Sequence, residues 1–264
     1  IGDVNQLEPI VQLSDDDEAR VRRAARVDLD LVQLEPYRIG ARRPNSAQSL
    51  ADRRMASRVT LTTHFRCQPE IIGICDALCA YELEVRTPPS QQPNPIHELP
   101  HPVQLIPVAS EQMRLRGSWF NQGELERVLS LLYRLKSAGV PWQEIAVITP
   151  YVGQLERLRD SLRHARIPWV GGYDQDDYPM DQHGVALGTV HRFQGGERRF
   201  VILSTVISQL KSLVFLNNRV NLVNVAVSRA RDQLFIVGDP AILSRGEFTR
   251  LLVQRAIHTP WSAP

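Results

Sequence analysis

Short apolar runs alternate with one-sided amphipathic stretches along most of this chain. Residues 59–62, 103–108, 145–148, 185–187, 201–204 and 234–237 are apolar runs of strand length. Between them, residues 70–81, 123–137 and 154–165 carry apolar positions at helical spacing. In the second of these, Leu125, Val128, Leu129, Leu132 and Leu135 share one face, and Gly139 follows as a stop. Leu155, Leu158 and Leu162 repeat the pattern in the third, and Pro69 stands where the first should begin. Strands without a polar face, separated by helices with one apolar face, predict an α/β fold: a parallel sheet with helices on both faces.

The remaining stretches read differently. Residues 1–9 look like a strand end running into a polar loop. Residues 14–26 form a charged helix, with Asp15, Asp16, Asp17 and Glu18 early and Arg20, Arg22, Arg23 and Arg26 late, the order a helix dipole favours. Residues 36–58 are polar and arginine-rich, as in a surface insertion, and residues 87–102 are a proline-rich loop. No repeat or low-complexity tract interrupts the pattern.

Composition narrows the picture only a little. With 264 residues, 43% hydrophobic and 23% charged, the chain is an ordinary globular sequence. No apolar run approaches the roughly 20 residues that span a bilayer, so no membrane partner is expected. The first residues have no signal-peptide pattern and no Met, and the chain is read as a piece of a longer protein. A net charge of +2 gives no global basic field. Lys136 and Lys211 are the lysines, so 29 of the 31 basic residues are arginine, a bias that fits a GC-rich genome. Cys67, Cys75 and Cys79 lack a companion histidine at ligand spacing, which suits reduced core thiols in a cytoplasmic protein better than a metal site.

Five segments carry candidate chemistry. The most informative is Asn224-Val225-Ala226-Val227-Ser228-Arg229-Ala230-Arg231, just before the apolar run 234–237. Two arginines on an apolar segment are costly unless something anionic meets them, such as a nucleoside triphosphate; alone, they would equally suit a solvated helix end. Gly2-Asp3-Val4-Asn5-Gln6-Leu7-Glu8-Pro9 is a polar turn at a strand end, where ligands of open sheets gather. In residues 61–69, Phe65 and Arg66 stand between a strand and a helix start, where a ring stacks on a base and a guanidinium reaches phosphate, or the ring simply enters the core. In Ile148-Thr149-Pro150-Tyr151-Val152-Gly153-Gln154, Thr149 and Tyr151 suit contacts to a nucleic-acid backbone. In residues 188–197, Gly195 and Gly196 permit close approach to a ligand, and Glu197 suits a ribose hydroxyl. His191 in that segment reads as structural.

In this order and spacing, the GDxxQLxP, FRxxP, ITPYxxQ, TVxxFQGxE and NVAxSRAR segments resemble the C-terminal half of superfamily 1B helicases, of the Upf-type and Dna-two-type branch. The resemblance runs from residue 1 to about residue 238, with insertions at 11–58 and 88–100. It implies a RecA-like second motor domain at residues 59–250. Residues 1–58 would then be the end of the first motor domain plus a charged linker, and residues 251–264 a tail. It further implies that Gln6 links the γ-phosphate to movement between motor domains. Phe65 would stack on adenine, where the family usually has Tyr. Arg66 would reach the γ-phosphate, Glu197 would bind ribose, Arg229 would be the arginine finger and Arg231 its supporting neighbour. Thr189, Gln194 and Gly195 would lie near the junction of nucleotide and nucleic acid. The implied ligands are ATP with Mg²⁺, single-stranded DNA or RNA, and the first motor domain of the same parent chain. The sequence departs from the family pattern at Cys67-Gln68, at Gly196 and at His191-Arg192.

A P-loop needs Gly-Lys followed by Ser or Thr. Here both lysines follow leucine, in Leu135-Lys136-Ser137 and Leu210-Lys211-Ser212, and no apolar strand ends in Asp-Glu. The expectation is therefore an ATP-dependent helicase in the parent and an inactive second half in this chain. The competing reading is a non-enzymatic module for binding nucleic acid or protein that retains the fold.

Overall fold

The computed structural model describes residues 3, 5, 6, 14–27, 48, 51, 52, 55, 59–90, 94–171, 183–193 and 196–260. The chain divides into two units, Ile1–Leu61 and Thr62–Pro264. In the first unit, α1 (Asp15–Ala24) begins at Ser14, whose hydroxyl accepts from the Asp17 amide. Arg20 closes the first turn on Asp17 at 2.6 Å. The surface insertion expected at 36–58 and most of the turn expected at 1–9 lie outside the described residues.

The second unit is built on a seven-stranded sheet. Its strands are β3 (Val103–Pro107), β6 (Ile145–Thr149), β7 (Trp169–Val170), β8 (Val185–Thr189), β9 (Arg198–Ser204), β10 (Ala230–Gly238) and β11 (Ile257–His258). They lie in the order β11-β3-β10-β9-β6-β8-β7, with every pair parallel. The helices are α2 (Pro69–Cys79), α3 (Gln122–Ser137), α4 (Val152–His164), α5 (Leu210–Asn217), α6 (Val220–Val227), α7 (Pro240–Leu243) and α8 (Thr249–Arg255). Pro69 opens α2, and the apolar face expected on α3 is buried through Leu125, Val128, Leu132 and Leu135.

Side-chain alternation divides the sheet between two helical layers. Phe235 and Val237 of β10 join the core cluster with α3 and α4. Leu234 and Ile236 are fully buried outside that cluster, and α2 and α6 contact β10. The architecture is therefore α/β with a parallel sheet covered on both faces, as the hydrophobic pattern predicts.

Three features depart from expectation. The run 59–62 is not a strand; Val59 and Leu61 are 89% and 75% exposed, and pairing begins at β1 (Thr63–His64), which runs parallel to β2 (Glu84–Val85). Residues 251–258, expected as tail, finish α8 and supply β11, which pairs with β3 at the sheet edge. Residues 112–121, which show no clear period, form an antiparallel hairpin of β4 (Gln112–Leu115) and β5 (Ser118–Asn121). Its turn needs left-handed backbone at Arg116 and Gly117.

That hairpin is held against the start of α4. The Gly153 amide donates to Ser118 Oγ at 3.0 Å, and a Cβ on Gly153 would stand 2.8 Å from the Trp119 carbonyl oxygen. Gly153→Ala should therefore push hairpin from helix and cost about 1–3 kcal/mol in urea unfolding, despite the better helix propensity of alanine. A variant at least as stable as wild type would show that the hairpin yields freely. Among the described residues, no helix is long and apolar enough to cross a membrane.

Candidate functional site

Residues from three separated segments meet beside the N-terminal end of β10. The segment 64–69 is tied there by the Gln68 amide, which donates to the Arg231 carbonyl at 2.9 Å. The loop before β9 is tied by the Arg198 amide, which donates to the Arg229 carbonyl at 3.0 Å. Tight pairing of β9 and β10 thus gathers Phe65, Arg66, Glu197, Arg229 and Arg231 into one region of the second unit.

Their exposures differ. Phe65 is 64% exposed, so the ring is not a core residue. Arg66 donates from Nη2 to the Ser228 carbonyl at 2.8 Å and lies 3.5 Å from Glu197 through Nε. That Nε is buried and makes no hydrogen bond, so its contact with Glu197 is an ion pair alone. Arg231 is about half exposed and reaches Asp232 at 3.3 Å. Cys67 is buried beneath this group, and its amide donates to His64 Nε2 at 2.8 Å. Burial, then the neighbouring Arg66 charge, holds the His64 ring below its usual pKa.

Arg229 sits beneath this surface. It is 3% exposed and its guanidinium is caged by its own chain. Nε donates to the Val225 carbonyl at 3.1 Å, and Nη1 donates to the carbonyls of Phe193 and Gly196 at 3.3 and 3.1 Å. Nη2 donates to Ser228 Oγ at 3.0 Å. Burial, followed by repulsion from Arg66, lowers its pKa from the usual arginine value. In this arrangement Arg229 ties α6 to the loop before β9.

Gln6 belongs to the first unit, where its amide donates to the Asp3 carbonyl at 3.3 Å. Gly195 and Gln194 lie outside the described residues. Thr149 and Thr189 are register partners at the C-terminal ends of β6 and β8, and they are 0% and 4% exposed. Their side chains therefore offer no open surface to a strand; Thr149 Oγ1 instead accepts from the Tyr151 amide. Tyr151 is also buried, its hydroxyl donating to the Ser212 carbonyl at 3.4 Å. Burial, then the nearby Glu124 carboxyl, pushes its phenol up to about 12. Strand ends that complete a parallel sheet bury their side chains under the flanking helices.

Sequence pattern alone does not reveal a buried polar network at the C-terminal ends of β6 and β9. Glu124, fully buried, accepts from Ser204 Oγ at 2.7 Å, the Val206 amide at 2.8 Å and Thr205 Oγ1 at 3.3 Å. Gln154 donates to Ser204 Oγ and accepts from the Asn121 amide, both at 2.9 Å. Asn121-x-x-Glu124 reads locally as a capping box, and Asn121 Oδ1 does accept from the Glu124 amide. The Glu124 side chain, however, turns away to hold Val206, a buried β-branched residue at φ 70°. The signal in the sequence is an acid three residues after an N-cap; its target is set by tertiary contact.

Comparison with known proteins bears on this arrangement. The sequence model of a family described as an AAA domain (AAA_12) matches residues 46–241. The chain is 26% identical over 211 residues to the putative helicase mov-10-B.1 of Danio rerio, covering 71% of this chain and 20% of that one. It is 31% identical over 158 residues to the regulator of nonsense transcripts 1 homolog of Neurospora crassa, covering 57% and 14%. It is 31% identical over 136 residues to the DNA polymerase alpha-associated DNA helicase A of Saccharomyces cerevisiae, covering 52% and 18%. The chain thus spans a fifth or less of the length of these relatives. A parallel sheet covered by helices, the five motifs in register and the family match together place the chain in the AAA domain family, among superfamily 1 helicases of the Upf and Dna-two type.

Proposed function

We propose that this chain is the second motor half of an ATP-dependent helicase and supplies one wall of its nucleotide site. The observation that carries this reading is the Arg66–Glu197–Arg229 group beside an exposed Phe65. An open ring, a partly exposed guanidinium and a carboxylate suit adenine, phosphate and ribose in turn. In this reading Arg66 and Arg229 stabilise charge on the transferring phosphoryl group and Arg231 supports them. Gln6 senses the γ-phosphate, and Gly195 lets the loop approach the nucleotide closely. Mg²⁺ travels with the triphosphate and is held mainly by the first motor domain, which supplies the P-loop this sequence lacks. The parent protein binds single-stranded DNA or RNA and works in the cytoplasm.

The test is ATPase activity of the full-length parent with and without single-stranded DNA or RNA. Strand-stimulated hydrolysis is expected there, and none from residues 1–264 alone. Magnesium-dependent hydrolysis by the chain alone would overturn its role as half a site. No activity in the parent with any strand would favour the non-enzymatic binding module, a reading to which the caged Arg229 lends some weight.

A further inference from the structure

Strands β9 and β10 fall out of register where the site begins. Ala230 pairs with Arg198, and Gln233 pairs with Phe200. Between those pairs β10 has two residues, Arg231 and Asp232, and β9 has Arg199 alone. The extra residue makes a β-bulge, a device that re-aims side chains and breaks strict alternation. In a regular strand neighbouring side chains point to opposite faces. Here Arg231 Nε donates to Oδ1 of the adjacent Asp232 at 3.3 Å.

Asp232 is itself held from the other side. Its Oδ2 accepts from Arg199 Nε at 2.7 Å. Arg199 Nη1 in turn donates to Oε2 of Glu144, just before β6, also at 2.7 Å. The Arg199 and Asp232 side chains are 14% and 12% exposed, so their charge-assisted bond is sheltered from water. The chain Glu144–Arg199–Asp232–Arg231 therefore crosses the N-terminal ends of three neighbouring strands, β6, β9 and β10. It takes up Arg231 Nε and leaves Nη1 and Nη2 without a protein acceptor among the described residues. The Arg231 carbonyl is fixed as well, by the Gln68 amide beside Phe65 and Arg66.

We propose that Asp232 is a positioning residue: backed by Arg199 and Glu144, it grips Arg231 through Nε and presents the two Nη groups to the phosphates of the proposed nucleotide site. The inference rests on the reading of this chain as half of an ATPase site, and it names a residue outside the motifs that carried that reading. The Glu144–Arg199 pair already ties β6 to β9. What the bulge adds is the contact between Asp232 and Arg231. Holding a guanidinium by Nε fixes its plane and keeps a pair of donors that matches phosphate oxygens.

The test is a double-mutant cycle on the strand-stimulated ATPase of the full-length parent, with D232N, R231A and the two combined, and a urea midpoint for each. For D232N, kcat should fall about tenfold with little change in the KM for ATP, as when a transition-state contact is misplaced. R231A should fall at least as far, and the double variant no further than R231A alone. D232E keeps the charge and should recover most of the rate. A double variant slower than R231A by the full factor of D232N would make Asp232 a structural tie and overturn the proposal. Wild-type kcat in D232N beside a slow R231A overturns the positioning role and leaves the motor reading standing. A wild-type rate in R231A removes Arg231 from the site and overturns the proposal, again without touching the motor reading. No strand-stimulated hydrolysis by the wild-type parent overturns both. If D232N fails to fold, E144Q decides, because it loosens Arg199 from its more exposed end. A fall in kcat that vanishes in the R231A background is expected, and an unchanged kcat overturns the proposal.

Discussion

Arg229→Ala is expected to lower the strand-stimulated ATPase rate of the full-length parent by about 10³-fold or more, the scale of an arginine finger in other NTPases. The same substitution should cost about 2–3 kcal/mol of stability, because it removes a charged donor from two buried carbonyls and a partly buried third. The two effects are separable. The carbonyls of Val225, Phe193 and Gly196 now take the hydrogen bonds that a finger would give to phosphate oxygens. Catalysis by Arg229 therefore requires Nη1 to leave Phe193 and Gly196 for the phosphoryl group, an exchange that a doubly charged oxygen cluster favours over neutral carbonyls. Arg229→Lys keeps the charge and loses the planar fork, so its rate should fall almost as far as that of the alanine variant. Steady-state kcat and a urea midpoint for each variant check the prediction. A folded Arg229→Ala parent with wild-type kcat would reduce Arg229 to a tie between α6 and the loop before β9.

Glu124 should make the chain less stable as pH rises from about 5 to 8. Burial pushes its carboxyl up to about 8, against the hydrogen bonds from Val206, Ser204 and Thr205 that favour the charged form. The folded value lies above that of an exposed glutamate, so the folded state binds the proton more tightly than the unfolded state does. This contribution is complete below the unfolded value of about 4.3 and is lost as pH climbs through the folded one. The span corresponds to a few kcal/mol, at about 1.4 kcal/mol for each pKa unit. Glu124→Gln has no proton to lose, and the difference between its pH profile and that of wild type isolates the carboxyl. Parallel profiles from pH 5 to 8 would mean that the Glu124 carboxyl titrates alike in both states. The consequence reaches α5, because Glu124 holds the left-handed Val206 that leads into it. Glu124→Ala should therefore loosen α5 as well as lower stability.

The central strands were legible because burial on both faces of a parallel sheet forces unbroken apolar runs. Ile145–Thr149 and the stretch 234–237 admit no other economical placement. Helices α3 and α4 were legible for the complementary reason: each packs one face on that sheet, which imposes the 3.6-residue period. The nucleotide-site residues Phe65, Arg66, Glu197 and Arg229 stood out through motif order rather than through pattern. Helices α5 and α6 were not legible, since Leu210, Val214, Val223 and Val225 mix exposed and buried apolar positions without a clean stripe.

The amino-acid sequence by itself determined the α/β class, the central strands, helices α2 to α4 and the helicase family. It did so because hydrophobic periodicity and motif spacing are written in local residue order. Tertiary structure alone decided which side chains are available for chemistry. Arg229 and Arg231 stand two residues apart, yet pairing of β9 with β10 buries one among carbonyls and leaves the other half exposed. Thr149 and Thr189 look equally open in sequence, and neighbouring registers in the sheet close both. Arg114, Trp119, Lys211 and Arg219 come to line one groove only when the hairpin docks beside α5. The physical reason is common to all three: exposure and shared electrostatics depend on contacts between residues far apart in the chain.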